Sequence, residues 1–256
     1  MKATEFIEMA KYAASCKTLY VKGGFGAPLT ERNKERYIKL YDYNAKRAAG
    51  INAASEDTFA FDCVCLVKGL CWGWSGDTSA IYGGAEYKKN NIPDFTVDGM
   101  LDYCDNVSDD FSTIIPGEVL WMDGHVGIYI GAGLVVEATA AWQNKVQVSA
   151  LGNWGPQEGY PTRSWKKHGR LQFLEYDTEL ESKSKTVKVE LPILQRGAEG
   201  EAVKSLQILL NGKQHFGMAI DGIFGPVTEQ FLRDYQKARG LEVDGSCGPA
   251  TWASLF

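Results

Sequence analysis

Three groups able to carry out acyl transfer stand far apart in this chain: a thiol at Cys63, an imidazole at His125 and a carboxylate at Glu137. Cys63 follows Asp62, a helix-capping residue type, and precedes Leu66, Val67 and Leu70, which share one helical face with it in a helix running to about Gly73. A thiol in the first helical turn lies at the positive end of the dipole, beside N–H groups with no partner inside the helix. Both effects favour thiolate, the nucleophilic form. Taken alone, such a cysteine is a small apolar residue opening a buried helix. A base and an orienting group would change that reading. His125 begins an alternating stretch to Ile130 that reads as a strand, Gly131-Ala132-Gly133 is a tight turn, and Leu134 to Ala138 returns. If all three residues form the turn, Ile130 pairs with Leu134 and Glu137 lies opposite Gly127. The carboxylate then shares a face with His125, about 7–8 Å away between side-chain bases. A two-residue turn would put Glu137 on the other face. In the first register Glu137 can hold one imidazole nitrogen and leave the other to a thiol, the nucleophile–base–orienter arrangement. Without such partners His125 is a satisfied strand-end histidine and Glu137 an edge-strand charge. His168 sits among Lys166, Lys167 and Arg170 and is expected to be solvated; His215 lies near the C-terminal end of the chain.

The elements that must position these groups give an α+β plan. Residues Thr4 to Ala14 form an amphipathic helix, and Thr18 to Tyr20 runs into the glycine-rich bend Gly23-Gly24-Phe25-Gly26. Thr30 to Ala49, rich in charge and tyrosine, reads as one or two solvated surface helices. Trp72 to about Pro93 is a loop whose tryptophans are either groove wall or core. Short strands at Val119 to Trp121, His125 to Ile130, Leu134 to Ala138 and Leu171 to Tyr176 make an antiparallel sheet. Residues 177–190 are polar and read as a linker between a first domain at 1–176 and a module at 191–256. The module holds an internal repeat: Asp221-Gly222-Ile223-Phe224-Gly225-Pro226-Val227-Thr228 matches Asp244-Gly245-Ser246-Cys247-Gly248-Pro249-Ala250-Thr251. Each Asp-Gly is a turn and each Gly-Pro a helix start, so the module is a compact three-helix unit.

Composition narrows the function. The chain has 256 residues, 45% of them apolar, enough for a real core. Its formal net charge of -5 gives no electrostatic case for nucleic acid or an anionic membrane. The acidic N-terminus does not read as a secretory signal, and no stretch is long and apolar enough to span a bilayer. The expectation is therefore synthesis in a host cytoplasm and no membrane partner. The six cysteines are expected to be reduced. Cys63, Cys65 and Cys71 do not have a usual zinc spacing, so zinc is a minor alternative and no cofactor is expected. Oligomeric state is open.

Residues Tyr20 to Gly26, Phe61 to Gly69, Gly117 to Trp121 and Gly124 to Ala138 together resemble the NlpC-type family of cell-wall cysteine peptidases. The resemblance rests on a Tyr-x-x-Gly-Gly segment, an Asp-Cys pair opening a helix and a Gly-His-Val-Gly-Ile-Tyr-Ile-Gly strand. It implies a papain-like α+β domain with an N-terminal nucleophile helix, Cys63 as nucleophile, His125 as base and Glu137 in the third position. Tyr20 matches the family tyrosine beside the nucleophile, and Asp62 a residue that helps bind substrate. Val64 and Cys65 replace the family Ser and Gly, and Glu137 replaces His, Asn or Gln, as in a related amidase/peptidase fold of phage lysins. Cys65 is a rival thiol, but two residues on it points about 200° around the helix from Cys63. Residues 191–256 resemble the helical peptidoglycan-binding module through Leu206-Gln207-Ile208-Leu209-Leu210, the two Asp-Gly copies and Thr251-Trp252.

The resemblance implies a phage-type peptidoglycan hydrolase acting at the cell wall, with bacterial peptidoglycan as partner. It favours the D-γ-glutamyl–diamino acid bond. The alternatives are an N-acetylmuramoyl-L-alanine amidase and, in another class, a non-catalytic wall-binding protein.

Overall fold

Every residue of the helix Cys63–Cys71 is buried, and the rest of the first unit is built around it. The computed structural model describes residues 1–176, 192–214 and 217–255. The chain divides into two compact units, Met1–Thr186 and Val187–Phe256. The expected linker at 177–190 and His215 lie outside the described residues.

The first unit is mixed α+β. It opens with α1 (Ala3–Ser15), β1 (Thr18–Tyr20) and β2 (Phe25–Pro28), then α2 (Glu31–Leu40), α3 (Asp42–Ala45) and α4 (Ala48–Ala53). Next come β3 (Phe59–Phe61) and α5 (Cys63–Cys71), followed by β4 (Cys104–Ser108), β5 (Val119–Met122), β6 (His125–Gly131), β7 (Leu134–Thr139), β8 (Lys145–Leu151), β9 (Thr162–Arg163) and β10 (Lys167–Leu171). The large sheet has the order β4-β10-β5-β6-β7-β8-β9, antiparallel except for the β8–β9 pair. A small sheet β1-β3-β2 shares no ladder with it, but its strand β1 packs against β8. Helix α5 packs on β2, β6 and β7, and α1 packs on α5 and the large sheet. A helix apolar on nearly every side must be enclosed in this way. Phe6, Leu66, Val67, Leu70, Val126, Ile128 and Val136 are the shared core.

The β6–β7 hairpin decides where Glu137 points, and it does so by a route the sequence did not show. The turn holds two residues, Ala132 and Gly133, both with positive φ (53° and 71°). That alone would turn Glu137 away from His125. A bulge restores the face: Tyr129 pairs with Val135 but Gly131 with Leu134, so Ile130 is the extra residue. Ile128 then pairs with Val136, and the next step sets Glu137 opposite Gly127.

Three other expectations change. The last strand is Lys167–Leu171, ending where Leu171 to Tyr176 was expected to begin. The chain turns there because Glu175 bridges to the start of α1, with Ala3 N–H donating to its carbonyl at 2.9 Å, and the Tyr176 hydroxyl donates to the Gly117 carbonyl at 3.0 Å. The segment from Thr30 to Ala49 falls in three helices with a buried side, Asn33, Lys34, Tyr37 and Asn44, and is not simply solvated. His168 is not solvated either. It is 1% exposed, bonded to buried Glu118 and to the Asp110 carbonyl at 3.0 Å, because β10 lies inside the sheet between β4 and β5. Trp72 and Trp74, groove wall or core in the sequence, are both buried, and Trp72 also borders a cleft.

All six cysteines are free thiols. Burial pushes Cys71 up to about 12, and burial with the charges of Glu118 and Asp105 pushes Cys104 up to about 12. The unfolded chain ionises these thiols from about pH 9, their ordinary value, while the folded chain keeps its protons. The folded state then binds more protons, so stability falls as pH rises from 9 towards 12. The urea midpoint of the first unit is expected to drop between pH 8 and pH 10.5, and Cys71→Ala should flatten that slope. An unchanged slope in the variant would refute this account.

The second unit holds α6 (Glu201–Gln214), α7 (Pro226–Ala238) and α8 (Pro249–Leu255) around Val203, Leu206, Leu210, Phe224, Leu232, Tyr235 and Trp252. The sequence repeat is a structural one. A buried glutamine from the preceding helix clamps each Asp-Gly turn. Gln207 Nε2 donates to Asp221 Oδ1 (2.8 Å), Ile223 O and Thr228 Oγ1, and its Oε1 accepts from Gly222 N–H. Gln236 Nε2 donates to Asp244 Oδ1 (2.7 Å), Ser246 O and Thr251 Oγ1, and its Oε1 accepts from Gly245 N–H. Gln236→Ala leaves a buried hydroxyl and a buried N–H unpaired, at a cost of about 2–3 kcal/mol. In a unit this small that lowers Tm by roughly 10 °C or more. Calorimetry of the variant checks it, and a shift under about 3 °C would contradict it.

Candidate active site

Asp62 fixes the Cys63 end of the candidate site. It caps α5, accepting from Cys65 N–H at Oδ1 (2.7 Å), and its Oδ2 accepts from Gly23 N–H (2.7 Å). Gly23 has φ +81°, a conformation that favours glycine, and the bend it makes brings the loop after β1 against the α5 N-terminus. Asn44 holds the same loop from the other side, bonding Lys22 N–H and Lys22 O at 3.0 Å each. Asp62, Cys63, Tyr20, Gly23, Lys68 and Gly124 border a cleft of about 640 Å³.

Cys63 lies at the first position of α5, 5% exposed, with its thiol against the Val64 and Val126 N–H groups and the Tyr20 hydroxyl. Burial and the charge of Asp62 push this thiol up to about 11, and those three donors only partly offset them. The helix dipole therefore does not leave a resting thiolate, against the expectation from the sequence. Burial, Cys63 and Asp62 likewise push the Tyr20 hydroxyl up, which keeps it a donor. Arg47 backs Tyr20, bonding its carbonyl at 3.2 Å and lying 5.7 Å over its ring.

Glu137 is 0% exposed and takes three donors: His125 Nε2 (2.6 Å) and Arg163 Nε (2.8 Å) on Oε2, and the Ser149 hydroxyl (2.5 Å) on Oε1. A carboxylate only accepts, so His125 presents Nε2–H to it, and Nδ1 is the ring nitrogen outside this bond. Trp165 stacks on the imidazole at 5.5 Å and 15°. Arg163 lies over Trp142 at 4.7 Å and over Trp165 at 5.9 Å.

Val126, the residue after His125, turns its N–H to the Cys63 thiol; no hydrogen bond joins Cys63 and His125 among the described residues, and His125 does not border the cleft that Cys63 lines. Cys65 is placed differently. Burial and Asp62 push its thiol well above the ordinary value, and its charged neighbours are Asp62, Lys68 and Asp94. Tyr20, Asp62 and Cys63 thus form one cluster, His125 and Glu137 a second, with β6 joining them. Arg163, Ser149 and Trp165 were not visible in the sequence. They come from β8, β9 and the segment after it, and only the pairing of Leu151 with Arg163 brings that short strand beside Ser149 and Glu137. Among the described residues, no group of three or more His, Cys, Asp or Glu could hold a metal ion, and no helix is long and apolar enough to cross a membrane.

Comparison with known proteins bears on the second unit. Residues 199–255 match the family described as "Putative peptidoglycan binding domain". A zinc D-Ala-D-Ala carboxypeptidase of Streptomyces albus G is 45% identical over 65 residues, 25% of this chain and 26% of that protein. A spore cortex-lytic enzyme of Halalkalibacterium halodurans is 41% identical over 63 residues, 25% of this chain and 19% of that protein. A solved Burkholderia AP3 phage endolysin is 34% identical over 25% of this chain and 24% of its own, with a TM-score of 0.24. The matched stretch thus spans about a quarter or less of these relatives. Residues 199–255 are thus similar to a peptidoglycan-binding domain, over a stretch also shared with a zinc D-Ala-D-Ala carboxypeptidase and a spore cortex-lytic enzyme.

Proposed function

We propose that the first unit is an NlpC-type, papain-like cysteine peptidase and the whole chain an endolysin-like peptidoglycan hydrolase. The observation that carries this is the pairing of His125 Nε2 with buried Glu137 while the Cys63 thiol lies against the next residue, Val126. In this mechanism His125 Nδ1 takes the Cys63 proton as sulfur attacks a stem-peptide carbonyl. The Cys63 N–H, which has no backbone acceptor among the described residues, and the Tyr20 hydroxyl hold the oxyanion. Asp62 orders the nucleophile turn and the substrate edge beside it. The imidazolium then protonates the leaving amine, and water hydrolyses the thioester. A neutral resting thiol fits such general-base activation. The favoured bond is D-γ-glutamyl to diamino acid. Glu137 in the third position favours a second reading of the bond, between the lactyl group and L-alanine.

Mass spectrometry of fragments released from purified peptidoglycan tests this. The new amino terminus names the bond. If several wall types release nothing, the non-catalytic wall-binding reading replaces the enzyme.

A further inference from the structure

Arg163 has a position that the nucleophile, base and orienter do not require. Its Nε bonds the same Glu137 oxygen that holds His125, so cation and imidazole share one acceptor atom. Its guanidinium is stacked over Trp142 and Trp165, and Trp165 stacks in turn on His125, which fixes the cation in place. The carboxylate between them is wholly buried, with Ser149 as its remaining donor.

We infer that Arg163 is a positioning residue that keeps Glu137 ionised and His125 free of a resting proton, and so sets the acid limit of activity. The inference rests on the proposed peptidase reading. A buried carboxylate without a cation draws a proton to itself or to its imidazole partner. Either way the pair is protonated at higher pH and His125 is lost as a base. With Arg163 present, the carboxylate charge is matched and a proton on His125 faces a neighbouring cation. On the elements packed against the pair, β8 carries Lys145 opposite Thr139, α5 carries Cys63 with Asp62 and Tyr20 beside its thiol, and the β5–β6 turn carries Asp123 paired with Lys166. Among the described residues, Arg163 is the cation bonded to Glu137.

The test compares the full-length wild type, Arg163→Met, Arg163→Gln and Arg163→Lys. Hydrolysis of a soluble muropeptide is followed against pH, and the His125 ring is titrated by NMR, with His125→Gln giving the assignment. The acid limb of kcat/KM and the ring titration should both move up by about one to two pH units in the Met and Gln variants, the usual effect of one neighbouring charge at this range. Activity should recover at higher pH. Arg163→Lys should stay within about half a unit of wild type, since it keeps the charge. Melting curves show which variants fold, and the Gln variant retains a donor if Met does not fold. A rate loss equal at every pH, an unmoved His125 titration, or a Lys variant shifted as far as Gln would overturn the inference. If wild type cleaves nothing, the peptidase reading fails, and the His125 titration alone still decides the role of Arg163.

Discussion

Cys63→Ala is expected to abolish cleavage, with a loss of at least ~10⁴ in rate on a soluble stem peptide, because in the proposed mechanism the Cys63 sulfur carries the acyl intermediate. Cys65→Ala should stay within about threefold of wild type. The contrast follows from placement on one helix. Cys63 lies at the first turn, against the Val126 N–H and the Tyr20 hydroxyl, while Cys65 has Asp62, Lys68 and Asp94 as its charged neighbours. Both thiols are buried and both are raised above the ordinary value, so acidity does not separate them; the Val126 N–H beside His125 faces the Cys63 thiol. Rates measured against an inactive His125→Ala control decide the matter. A dead Cys65→Ala with a live Cys63→Ala would move the nucleophile two residues along α5, and the His125–Glu137 pair would need another partner.

How much of this site could be read from residues alone depends on the range of each interaction. The Asp62 cap, the helix behind it and the alternating strand from His125 are local patterns, and the structure has them at nearly the expected boundaries. The pairing of Glu137 with His125 is semi-local. The expected face is the observed one, but through a two-residue turn and a bulge at Ile130, and no local rule distinguishes that from a three-residue turn. Arg163 and Ser149 reach Glu137 only through the order of strands β7, β8 and β9, which short polar strands do not encode in sequence. The same lack of range explains His168. Three basic neighbours suggest solvent, yet Glu118, fifty positions away, and the sheet on both sides bury it. The protonation state of Cys63 also misled, because the dipole effect is local while burial and the Asp62 charge depend on the finished fold. In the second unit the repeat was plain in sequence, but the glutamine clamp at Gln207 and Gln236 was not, since each glutamine looks like an ordinary helix residue until its turn folds over it.

Removing residues 192–255 should reduce lysis of intact walls by about 10²–10⁴ and leave cleavage of a small soluble peptide within about twofold. The effect is one of effective concentration. On an insoluble polymer, a binding domain converts the encounter of the enzyme with each new bond into an intramolecular event, and the gain is lost when that domain is removed. A soluble peptide offers no second site, so it has nothing to lose. Each unit has its own buried core, Phe6, Leu66 and Val126 in one, Val203, Leu232 and Trp252 in the other, so the shortened chain is expected to keep its fold. Turbidity loss of wall suspensions and hydrolysis of a soluble muropeptide, measured on the same preparations, separate the two effects. Equal losses on both substrates would mean that the second unit supports the fold or the site of the first. No loss on either would mean that the peptidoglycan-binding domain does not limit wall cleavage.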